Sequence, residues 1–251
     1  MLDLQSSITA YFEYFENQYS FLANLDSYLT IPAGPVEDYI EKHNLKVILA
    51  SSYIDALASI RYSGSPSVRF KLALEESGLP QWCLVSISVV RWAIYNPGLF
   101  AHLHNLPDSL NVLRTRPEWQ PNADQNVEAV PWASRCTNFD AIYPAENFDK
   151  DMSATVDLLQ RNGYKVDSYC QRVLDNSTYS SIFYREYRSA LVHEAKIGAG
   201  GFGWNRVAIP DSFVLESFKR IIGNVNQYCE SNAINPFDLI PSPHEGEISR
   251  P

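Results

Sequence analysis

A chain of 251 residues, 45% of them apolar, can bury roughly 70–75% of its unfolded surface without a disulfide or a structural metal, which excludes disorder as its default state. Its 13% aromatic content with only 11 Gly is unlike a turn-rich sandwich or barrel and predicts a mostly helical core. A formal net charge of −9 excludes indiscriminate coating of nucleic acid or membrane, because phosphate binding relies on Lys and Arg.

From Ile8 the apolar positions Phe12, Phe15, Tyr19, Leu22, Leu25 and Leu29 follow in steps of three and four, the signature of a helix with one apolar face, ended by Thr30–Pro35. A second helix is expected from Val36 to about Tyr62. Ser51, Asp55 and Ser59 recur there every fourth residue, a polar stripe that needs a partner. Ser67 is the expected N-cap of a short helix carrying Phe70, Leu72 and Leu74 and stopped by Gly78 and Pro80. Trp82 to Tyr95 has strand-like Val and Ile content, but its length and helical surroundings predict a buried helix. That run is short and contains Ser86, Ser88 and Arg91, so it does not read as a membrane span.

Residues 97–149 hold six prolines among Asn and Asp clusters and read as a long irregular insertion. Helical pattern resumes at about Asp151–Arg161 with Gly163 past its end, then at Asp167–Leu174, then more strongly at Tyr179–Ala195. Gly198 to Pro210 suggests a short hairpin or lone strand, and Asp211 is the expected cap of a last long helix reaching about Asn232. The expectation is therefore one all-α domain over residues 1–235, interrupted at about 97–149, with a loose tail over 236–251.

Cys83, Cys136, Cys170 and Cys229 form no C-x-x-C pair, and Met1–Gln5 lacks the basic and apolar regions of a secretory signal. Both point to a reduced, cytoplasmic protein. Charge is uneven: from Ser181 to Arg220 the cations Arg185, Arg188, Lys196, Arg206, Lys219 and Arg220 outnumber the anions Glu186, Glu194, Asp211 and Glu216.

Several motifs fail on context. Gly198-Ala199-Gly200-Gly201-Phe202-Gly203 fits G-x-G-x-x-G, but a dinucleotide loop must follow a strand, and here the glycines follow a helical pattern. His193-Glu194 starts like a zinc-protease helix, yet the second ligand position holds Ile197. His102 and His104 have no third ligand nearby, so no metal or other cofactor is expected.

Tyr184 to Glu194 is left as the candidate. On a helix Arg185, Ser189 and His193 share a face, while Arg188 lies about 140° around from His193, so only its length or a second protomer brings its guanidinium to the same phosphate. An imidazole moves protons near neutral pH and a guanidinium stabilises a crowded phosphorane.

The segment Tyr187-Arg188-Ser189-Ala190-Leu191-Val192-His193-Glu194 resembles the HEPN superfamily, the higher eukaryotes and prokaryotes nucleotide-binding domains, whose members carry R-x(4–6)-H at the end of a helix in an all-helical domain. The polar-striped Ser51–Tyr62 is similar to the first core helix of such domains. The resemblance implies a HEPN-like helical bundle and a metal-independent endoribonuclease of toxin or antiviral-defence type, active as a homodimer whose Arg-His motifs share one cleft. It implies that Arg188 and His193 are catalytic, with Arg185, Ser189, Glu194, Asp55 and Arg61 lining the substrate site. RNA is the implied substrate, and an antitoxin or regulatory protein a further partner. The position after the arginine is often Asn, Asp or His in active members; Ser189 stands here, which keeps a catalytically silent binding module as the alternative.

Overall fold

A computed structural model describes residues 3–30, 35–86, 149–161, 166–185 and 209–239. The described residues are all-α apart from one two-stranded ribbon. They fall into two compact units: one built from residues 3–79 and 209–239, the other from 80–86 and 149–185.

In the first unit, α1 (Leu4–Ala23) starts at Asp3, whose Oδ1 accepts from the Ser6 N–H at 2.8 Å. The hydrogen bonds from Ser6 also hold the Asp3 carboxyl below its ordinary pKa. Sequence periodicity predicts one helix to Leu29, but the chain breaks at Asn24, whose side-chain amide caps the Ser20 carbonyl at 2.8 Å. Asn competes with the helix for its own backbone, and the remaining turn becomes α2 (Leu25–Tyr28). Helix α3 (Pro35–Arg61), about 40 Å long, buries Val47, Ala50, Ile54, Leu57 and Ala58 on its inner face.

Helix α4 (Pro66–Glu75) begins one residue earlier than its expected cap. Ser65 is the N-cap and Pro66 the first helical residue, where a missing N–H does no harm, while Ser67 shares a 3.0 Å hydroxyl contact with Ser65. Helix α8 (Asp211–Asn232, numbered after α5–α7 below) buries Val214, Phe218, Ile221, Ile222, Val225 and Cys229 and packs along α3, α1 and α4. Tyr53 of α3 ties the layers together: its ring stacks on Phe218 at 5.6 Å and meets Phe15 edge-on at 5.9 Å, and its hydroxyl donates to Gln18 at 2.9 Å.

Asp211 is not the cap of α8 but its first residue, and Pro210 precedes it. The Asp211 carboxylate is thereby free to reach Lys46 Nζ at 3.1 Å, while Asp26 takes the same ammonium at 2.6 Å. Lys46 is 6% exposed. Burial penalises its charge, yet the two carboxylates outweigh that penalty and raise its pKa.

Helix α8 ends at Ala233 in the left-handed region (φ 52°), and the Ile234 N–H returns to the Cys229 carbonyl at 3.0 Å. A 3₁₀ turn, Pro236–Leu239, then sets the Phe237 ring edge-on to Tyr11 at 5.1 Å.

The second unit opens with a 3₁₀ turn, Pro80–Cys83, and β1 (Leu84–Val85), which corrects the helix expected from Trp82; the remainder of that segment lies outside the described residues. β1 pairs antiparallel with β2 (Lys150–Asp151), Leu84 opposite Asp151 and Val85 opposite Lys150. Helix α5 (Met152–Arg161) is capped by Asp151, whose Oδ1 accepts from the Ala154 N–H at 2.7 Å. Asp167 caps α6 (Ser168–Asp175) in the same way through the Cys170 N–H at 2.9 Å. Helix α7 (Tyr179–Ile182) follows.

Two substitutions test this account by chemical denaturation. Ala233→Gly relieves the left-handed backbone and is expected to stabilise the first unit by about 1 kcal/mol. Asp211→Asn is expected to destabilise it by about 2 kcal/mol, and Asp26→Asn by clearly less because Asp26 is 61% exposed; equal losses would refute the assigned weighting.

Candidate functional site

The Arg-His segment follows α7 in the sequence, and the described residues show how the chain before it is fixed. Thr178 is the N-cap: its Oγ1 accepts from the Ser181 N–H at 3.3 Å and donates to Ser181 Oγ at 2.8 Å. Ser181 Oγ in turn donates to the Asp175 carbonyl at 2.5 Å, so the last turn of α6 and the first of α7 are joined by a chain of buried hydroxyls. The backbone of the same loop joins the ribbon, with the Ser86 N–H on the Ser177 carbonyl at 2.7 Å and Val85 bridged to Thr178.

Below this loop Phe183 packs against Trp82 with ring centroids 5.2 Å apart, and both side chains are fully buried. Tyr179 donates its hydroxyl to Asp149 Oδ2 at 2.6 Å. Burial, and then that carboxylate, push the Tyr179 pKa upward, so the phenol stays protonated throughout the physiological range. From Phe183 to Arg185 the backbone widens into a π-type turn.

Of the residues expected to line the site, Arg185 stands here, half-buried, its Nη2 3.4 Å from Asn176 Oδ1. Asn176 is itself held, donating from Nδ2 to the Arg172 carbonyl at 2.8 Å. Asp55 and Arg61 belong to α3 in the first unit. Six residues apart, they project about 120° from one another and do not share a face. Asp55 is half-buried; Arg61 pairs with Glu76 at 2.6 Å and lies over the rings of Tyr62 and Tyr228 at 5.1 and 5.8 Å. The stripe that includes Asp55 runs from a fully buried Ser51 to an exposed Ser59, whose hydroxyl bonds the Ala56 carbonyl. Arg188, Ser189, His193 and Glu194 lie outside the described residues, as do the hairpin expected from Gly198, His102, His104 and Gly163.

The charged cluster that local spacing could not reveal is Lys46 with Asp26 and Asp211, whose members are 20 and 165 residues apart. Among the described residues no group of three or more His, Cys, Asp or Glu converges as a metal site would, and no helix is long and apolar enough to cross a membrane. No protein-family model, curated protein or solved structure matches the chain.

The hydroxyl chain at Thr178 gives a local test. Thr178→Val keeps the shape but removes the cap and one link, and is expected to destabilise the second unit by about 1–2 kcal/mol. Amide exchange over residues 179–185 should quicken while that of α8 stays unchanged.

Proposed function

We propose that the chain is a metal-independent endoribonuclease of the HEPN type, acting in the cytoplasm as a homodimer with a composite Arg188/His193 site. The observation that carries the proposal is the R-x-x-L-x-H sequence from Arg188 to His193, directly preceded by Tyr187, within a segment richer in cations than the rest of the chain. The turn that precedes that segment in the chain, Ser177 to Phe183, is fixed by buried hydroxyls and an aromatic pair, which supports the reading.

In the proposed reaction a ribose 2′-oxygen attacks the adjacent phosphorus. His193 accepts the 2′-OH proton, Arg188 stabilises the charge gathering on the phosphorane oxygens, and the 5′-oxygen departs with a proton from the His193 of the second protomer. One P–O bond forms and one breaks, leaving a 2′,3′-cyclic phosphate and a 5′-OH. Arg185, Ser189 and Glu194 contact the RNA. An antitoxin or regulatory protein holds such an activity in check.

Ser189, where active members of the resembled superfamily often carry Asn, Asp or His, favours a second reading, a silent dimeric module that binds RNA, a nucleotide or a protein through the same residues.

Cleavage of an end-labelled panel of structured RNAs in EDTA separates the two. The ribonuclease predicts cyclic-phosphate ends with wild type and a loss of about 10²–10⁴-fold in His193→Ala, with unchanged circular dichroism. RNA binding without cutting by wild type would replace the enzyme with the silent module.

A further inference from the structure

Helix α1 and the turn α2 expose three large aromatic side chains, Tyr14 (51% exposed), Phe21 (43%) and Tyr28 (68%). Tyr14 and Phe21 are seven residues apart, which on a helix leaves them within about 20° of one line. Ala10 and Asn17 flank that line within about 60° of Tyr14, both exposed, and the exposed Asn24 follows at the end of α1. The strip so formed carries no charge. Glu13 and Glu16 project about 80–160° away from it, Asp26 is taken by Lys46 at 2.6 Å, and Lys219 lies over Tyr19, about 140° around from Tyr14.

The three rings are held in place by their own neighbours. Tyr28 stacks on Phe21 with centroids 6.0 Å apart and planes 4° from parallel. Tyr14 is braced edge-on by Phe15 at 5.2 Å and by Tyr53 at 6.3 Å. Burying them against a second surface therefore costs little side-chain entropy. Their exposed parts amount to about 300 Å² per chain, more than a third of the roughly 800 Å² that each partner contributes to a standard protein–protein interface.

We propose that this strip is an interface between two copies of the chain, packed antiparallel about a twofold axis near Asn17. With the axis there, Tyr14 of each copy meets Phe21 of the other, and the two Asn17 amides, each both donor and acceptor, face one another. An Asn within an otherwise apolar helix seam fixes register in this way. Charge selects a second copy over other occupants. A chain of net charge −9 meets its own copy at least cost where neither side brings a carboxylate, which holds on this strip. Phosphate of RNA or of a lipid headgroup finds no cation on it, and a charged segment of another protein would bury its charge there unpaired. The interface is independent of the Arg188/His193 reading, since a silent module would associate through it equally.

Sedimentation velocity of the full chain at about 50 μM tests it, together with cysteine cross-linking. Wild type is expected to sediment as a dimer. Phe21→Glu and Tyr28→Glu each place a carboxylate on the strip and should weaken dimerisation about 30-fold or more, with unchanged circular dichroism. Under mild oxidation Asn17→Cys should form a covalent dimer across the twofold axis, above the background set by the native cysteines. Thr9→Cys, exposed about 140° around from Tyr14, should not. A wild-type monomer at that concentration, a dimer unchanged in both Glu variants, or equal cross-linking from positions 9 and 17 overturns the proposal.

Discussion

The buried ammonium of Lys46 is the constraint on which the first unit depends. A charge at 6% exposure is costly unless its donors are met, and the two acceptors come from opposite ends of the chain, Asp26 on α2 and Asp211 at the start of α8. Three elements are thereby fixed in register before any apolar contact is considered. Asp211 does this because Pro210 closes the preceding backbone and leaves the carboxylate in the first turn, where the helix dipole also favours a negative charge. His43 joins the same group, its Nδ1 4.0 Å from Asp211. Burial lowers its pKa more than Asp211 raises it, and Lys46 adds to the lowering, so the imidazole gives up its proton more readily than an exposed one.

Around that polar anchor the apolar packing is mostly aromatic. Tyr53 touches α1 and α8 through its ring and hydrogen-bonds α1 through its hydroxyl, so one residue serves both the core and its polar edge. The second unit uses a different device. Its ribbon is only two residues per strand, too short to be stable alone, and it is held by the Ser177–Thr178 loop on one side and the Trp82–Phe183 pair beneath.

Much of the helical pattern was legible because it is local. Spacing of apolar residues located α3, α5, α6 and α8 to within a residue or two, since each buries one continuous stripe. The errors arose where a single polar side chain outweighs periodicity. Asn24 ends α1 although Leu25 and Leu29 continue its stripe, and Ser65 takes the cap that Ser67 was expected to provide. β1 is missed for the opposite reason: the length and helical surroundings of the Trp82–Tyr95 run outweigh its strand-like content, and the partners that make Leu84 and Val85 a strand, Lys150, Asp151 and Thr178, lie far away in sequence. The candidate site divides in the same way. Helical spacing singles out Arg185 as a candidate, whereas the Asn176 contact that holds it depends on the turn between α6 and α7.

The junction of α3 with α8 has a consequence for how the protein is made. Lys46 meets Asp211 across 165 residues of intervening chain. At ribosomal rates of about 5–20 residues per second, the inner faces of α1 and α3 are synthesised roughly 10–30 s before the helix that covers them. During that interval Phe12, Phe15, Ile54 and Leu57 have no lid, and Lys46 has only one of its two carboxylates. On every round of translation these apolar side chains are thus made well before the helix that buries them.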